Sequence, residues 1–137
     1  MPVPNGWELT GLLVSSEFAA GAACAAVRIV DREAPSDSGQ APFLYQSLAQ
    51  VCARPVDGRS LEAFMVETYG ADRGGFAPAS VGGKSAYRLT QDHQTTIFLQ
   101  SGTRRFQVIA SVAADSPGLE ALRVSQVNQI LSSLTFD

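Results

Sequence analysis

Hydrophobic positions recur along this chain with two different periods, and the switches between them mark its elements. Over Arg104 to Val112 the apolar residues Phe106, Val108, Ala110 and Val112 fall at every second position. That is the period of a strand with one face turned to a core. Thr95 to Gln100 pairs with it across a tight turn at Ser101-Gly102, and Val81 to Leu89 is read as a third strand opening on a glycine pair. Helical spacing takes over twice. Leu61, Phe64, Met65 and Thr68 fall at steps of three and four, with Ser60 placed to cap the start and Gly70 to stop the run, which predicts a helix over Ser60 to Tyr69. Near the C-terminus Asp115-Ser116-Pro117 opens a second helix, with Leu119, Leu122, Val127, Ile130, Leu131 and Leu134 as its inward stripe. Glu120, Arg123, Gln126 and Gln129 are then expected outside, and Phe136 in an extended tail.

The first half is less regular. Pro2 to Gly6 reads as an extended lead-in, and Trp7 to Leu12 as a short strand. Ala22 to Asp31 ends in the β-branched run Val27-Arg28-Ile29-Val30, which favours a strand, although its Ala-rich start tolerates helix. Phe43 to Arg54 fits both periods, and the cysteines tip it toward a strand. Antiparallel partners keep a constant sum of residue numbers, and a pairing of Cys24 with Cys52 is centred on Ser38. That residue lies in Glu33 to Gln40, the richest turn segment of the chain. Cys24 then faces Cys52 at a spacing where a disulfide closes, and the bond is worth roughly 3–4 kcal/mol in the chain-entropy model. The alternative is two reduced, buried cysteines acting as small hydrophobes. Together these elements predict a single α+β domain over residues 1–137, an antiparallel sheet with helices packed against it.

Composition narrows the function classes. Of 137 residues, 45% are hydrophobic and 17% charged, with a formal net charge of −3. An acidic chain with scattered arginines offers no basic groove, so nucleic acid is not an expected partner. Arg104 and Arg105 are the one adjacent arginine pair and read as a solvated strand end. No apolar run approaches the ~18 residues of a membrane span. Met1 leads into Pro2, Pro4 and Gly6 without a signal peptide, so the reading is either a cytoplasmic protein or an exported one whose leader, with any lipid anchor, has been removed. A disulfide favours the extracytoplasmic or cell-envelope alternative.

Catalytic patterns are missing. His93 is the only histidine and sits in a polar turn beside Asp92, where neighbouring side chains point apart. Neither cysteine lies at an evident helix start beside a base. Gly82-Gly83-Lys84-Ser85 looks like the end of a phosphate loop, but position 78 is Pro78 where that pattern needs glycine, and a strand follows where it needs a helix. One histidine and two cysteines without clustered acids make no metal set, and Phe98, Phe106 and Tyr87 read as core and not as a base-stacking platform. No catalytic, cofactor-binding or metal-binding residue is therefore assigned, and no cofactor is expected.

The order of elements resembles the PsbP-like fold superfamily, which includes LpqN-type exported lipoproteins and small secretion adaptors. The resemblance is carried by Gly83-Lys84-Ser85-Ala86-Tyr87, by Ser133-Leu134-Thr135-Phe136 after an amphipathic helix, and by the Pro4-Asn5-Gly6-Trp7 entry. It covers Ser60 to Asp137 best. These are packing motifs and carry no catalytic residue. What the resemblance implies is a non-catalytic binding or adaptor domain engaging a protein or peptide. The alternative is a small-ligand-binding domain or an enzyme with a pocket between sheet and helices. The candidate partner-binding surface is the glycine-rich loop from Tyr69 to Ser80, with Tyr69, Asp72, Arg73 and an outward Phe76.

Overall fold

In the computed structural model the described residues are 7–11, 16, 18–29, 48–91, 94–112 and 117–134. The expected turn over Glu33 to Gln40, the turn histidine His93 with Asp92, the Asp115-Ser116 helix cap, the Pro4-to-Gly6 entry and the tail at Phe136 lie outside them. Seven strands and two helices follow in chain order: β1 (Trp7–Thr10), β2 (Ala23–Ile29), β3 (Leu48–Pro55), α1 (Leu61–Tyr69), β4 (Ala77–Val81), β5 (Lys84–Gln91), β6 (Gln94–Ser101), β7 (Arg104–Ser111) and α2 (Pro117–Ser133). A short 3-10 turn at Arg73–Gly75 separates α1 from β4. The strands form one sheet in the order β1-β2-β3-β7-β6-β5-β4, antiparallel at every pairing.

Alternation sorts the strand side chains onto two covered faces. On one, Ala49, Val108, Ala110, Ile97, Leu99 and Ala86 meet Val127, Ile130 and Leu131 of α2. On the other, Cys52, Phe98 and Tyr87 meet Met65, Leu61 and Phe64 of α1, together with Phe18 and Ala19. Phe98 is the hub of this second core, with ring centroids 5.5–5.9 Å from those of Phe64, Phe18, Phe76 and Tyr69. Helix α1 is fixed at both ends, since the Ser60 hydroxyl accepts from the Ala63 N–H at 3.1 Å and Gly70, at φ 99°, donates to Val66.

The cysteine register is as the residue numbers require. Cys24 and Cys52 stand opposite each other in the β2–β3 ladder, their Cα atoms 4.1 Å apart and their sulfurs bonded. The segment that fitted both periods is the strand β3.

Four expectations need correction. The glycine pair does not begin a strand. Gly82 and Gly83, at φ 59° and 79°, are the turn between β4 and β5, a conformation that two-residue hairpins reserve for such residues. Ala77 to Ser80, read as loop, is accordingly part of β4, whose Ala-Pro-Ala-Ser composition hides the alternation. Arg105 is no solvated strand end, because only 3% of it is exposed. On α2, Val127, Ile130 and Leu134 set the inward stripe, and four residues before Val127 stands Arg123. It is therefore Arg123 that is buried, donating to Gln126 Oε1 at 2.8 Å, while Leu122 one step around is 48% exposed.

Candidate functional site

The turn between α1 and β4 was the surface expected to meet a partner. There Asp72 caps the 3-10 turn by accepting from the Gly74 N–H at 3.1 Å. Arg73 sits in the left-handed region at φ 56° and lays its guanidinium 5.1 Å from the centre of the Tyr87 ring. Gly74 is held close to Tyr69, where any Cβ would come 3.1 Å from the Tyr69 Cβ. Phe76 is not outward. It is 7% exposed, tilted against Tyr69 at 5.0 Å and against Phe98. Tyr69, at 38%, keeps one side in solvent. The glycines let this turn fold down onto the sheet, so its aromatic content is spent on the core.

Below α1 lies a polar lock. Buried Arg105 donates to Asp57 Oδ1 at 3.2 Å, to the Arg59 carbonyl at 2.8 Å and to Gln100 Oε1 at 3.0 Å, with its guanidinium 4.5 Å from the Phe64 ring centre. Arg59 grips Asp57 and reaches Glu67 at 2.7 Å. Hydrogen bonding from Arg59, reinforced by Arg105, holds the Asp57 carboxyl well below the usual carboxylate range. Burial raises the Tyr87 hydroxyl above its ordinary value, helped by its hydrogen bond to Glu62 and opposed by nearby Arg73. The contacts of Arg105 and Arg59 hold the β3–α1 connection to β6 and β7, while the Nε atoms of Arg105 and Arg73 are buried without a hydrogen-bond partner. No group of three or more metal-ligating side chains occurs among the described residues.

Another surface carries the features of a site. Helix α2 is laid over β3, β7 and β6, and its flank toward β5 and β4 leaves a trough in two adjoining depressions. One, of about 260 Å³, has Val112, Val124 and Val127 among its walls and ends at Thr90, Thr95 and Glu120. The other, of about 250 Å³, runs past Val81 and Ile97 to Ser80, Gly82 and Ser132. Arg88, Asn128 and Leu131 line both and mark the waist. The trough is apolar at its base, hydroxyl and amide at its rim, with one cation at its middle. Arg88 is exposed and sits on the same strand face as Ala86. Among the described residues no carboxylate is paired with it.

Sequence reasoning passed over this trough because its walls come from five elements, β4, β5, β6, β7 and α2, that are brought together only by folding. One signal was present. Along β5 the face that begins with the core residue Ala86 continues with Arg88 and Thr90, a polar turn on a face otherwise meant for packing.

No family model matches the chain, and neither does any curated protein or solved structure. No helix among the described residues is long and apolar enough to cross a membrane.

Proposed function

We propose that this is a non-catalytic binding domain and that a protein or peptide segment seats in the trough beside α2. The observation that carries the reading is the shape and lining of the trough: open along its length, apolar below, polar at the rim. Small-molecule sites bury most of their ligand in enclosed pockets of about 300–1,000 Å³. Two depressions that adjoin end to end and stay open to solvent along the flank of α2 suit a chain laid along the surface. Pairing of a strand at the sheet edge is disfavoured by Pro78. Val81 and Lys84 close a two-residue turn, so the hydrogen-bonded pairs of this hairpin are Val81–Lys84, Ala79–Ala86 and Ala77–Arg88. Pro78 and Ser80 then face the outer edge, and proline removes one of its two donors. Recognition by side chains in the trough is the better supported mode.

The PsbP-like resemblance supports the same class of function, and the structure gives its glycine-led motif a physical reading. Gly83 makes the turn, Ala86 packs toward α2 and Tyr87 enters the aromatic core on the opposite face. The disulfide supports a working place outside the reducing cytosol, at the cell envelope or beyond it.

Selection from a displayed random-peptide library tests the reading, with Asn128→Trp, which fills the waist, as counter-selecting variant. Enriched peptides should bind the native domain and lose at least tenfold on the variant. Enrichment of peptides that bind both equally would refute the trough as the site.

A further inference from the structure

We infer that the trough selects an extended segment whose successive inward side chains run apolar, acidic, apolar. This rests on the trough being a peptide site and adds the chemistry of its occupant. The trough reaches from Val81, which stands opposite Lys84 in the β4–β5 ladder, to Thr90, six residue steps along β5 or about 20 Å at ~3.3 Å per residue. In an extended peptide alternate side chains point the same way about 6.7 Å apart, so three of them span about 13 Å and fit that length.

The lining assigns the order. Arg88 stands at the waist between the two depressions, exposed, and among the described residues without a carboxylate partner. Asn128, across from it on α2, lines both depressions and can donate an amide hydrogen to the same acceptor. A guanidinium and a carboxamide that line the same two depressions suit a carboxylate, which accepts from both. On the side toward Thr90 the walls are Val112, Val124 and Val127, which suit an aliphatic side chain. On the other side Val81, Ile97 and Leu131 lie under a rim of Ser80 and Ser132, again a place for an apolar side chain of modest size. The acid therefore belongs in the middle and nowhere else.

The test uses three fluorescein-labelled peptides of sequence Gly-Ser-Leu-Thr-Z-Thr-Val-Ser-Gly, where Z is Asp, Asn or Lys, titrated with the intact domain by fluorescence anisotropy. The Asp peptide should bind at least tenfold more tightly than the Asn peptide, and the Lys peptide more weakly still. Arg88→Ala, at an exposed position and with its fold checked by circular dichroism, should reduce the Asp–Asn gap to less than threefold. Arg88→Glu should reverse the order of Asp and Lys. Equal binding of Asp and Asn peptides to the native domain would overturn the inference while leaving a peptide-binding trough standing, as would an Asp–Asn gap that survives Arg88→Ala. Failure of all three peptides to bind would overturn the proposed pattern, and the library selection then decides the broader reading separately.

Discussion

Removing the Cys24–Cys52 bond should cost this domain a large share of its stability, and the structure sets the size. The bond closes a loop at a separation of 28 residues. In the chain-entropy model that closure is worth about 3.6 kcal/mol at 25 °C, through the freedom it denies the unfolded chain. A domain of this length has a total stability on the order of 10 kcal/mol, so roughly a third is at stake. The double variant Cys24→Ala/Cys52→Ala avoids leaving a lone thiol and removes little volume from a site where Cys52 is fully buried. Urea unfolding followed by tryptophan fluorescence measures the loss. With a slope of roughly 1.8 kcal/mol per molar, the midpoint should fall by about 2 M. Hydrogen exchange should localise the effect, because among the described strands β1 pairs with β2 alone, and β2 is the strand the bond ties to β3. A midpoint shift below about 0.5 M would show that the pairing of β2 with β3 needs no covalent help, and would refute the reasoning.

The remaining predictions concern the two cores, the polar lock and the sheet edge. Phe98→Ala removes the ring on which four other aromatic residues converge at 1% exposure, and should cost about 3–5 kcal/mol by the same unfolding assay, whereas Phe98→Leu should cost clearly less. The Asp57 carboxyl titrates below its ordinary value near 3.8, so the stability it contributes is complete above that pH and is lost as pH falls through the folded-state value. The native domain should therefore lose stability more steeply than Asp57→Asn between about pH 4 and pH 2, and parallel curves would contradict the lock. Pro78→Thr restores a donor on the outer edge of β4 and should produce concentration-dependent self-association by light scattering; a strictly monomeric variant would count against Pro78 as an edge guard.

Much of the fold could be read in advance wherever a single element carries its own pattern. Phe106, Val108 and Ala110 fall at every second position because one face of β7 lies under α2. Ser60 and Gly70 bracket α1 through local hydrogen bonds, and Cys24 with Cys52 fix a register by arithmetic. What escaped reading depends on distant partners. Arg105 is buried because Asp57, Gln100 and the Phe64 ring surround it, and Asp57 is 48 residues away in the chain. Phe76 turns inward because Tyr69 and Phe98 await it. Strand β4 escaped because small residues and a proline carry no period, and Arg123 because Leu122 looked the better core residue until Val127 and Ile130 fixed the helix rotation. Apart from the polar Arg88 and Thr90 on the Ala86 face of β5, the candidate site belongs to this second kind, since Arg88, Val124 and Asn128 become neighbours only when α2 is laid over the sheet.

The central claim is that partners seat beside α2 and not on the turn between α1 and β4. Backbone amide shift mapping of the labelled domain during titration with a library-selected peptide tests it most directly. The account predicts that the largest shifts cluster at Arg88, Thr90, Val124, Asn128 and Leu131, with Tyr69 to Phe76 nearly unmoved. Shifts concentrated at Tyr69, Arg73 and Gly74, with the α2 flank silent, would contradict it.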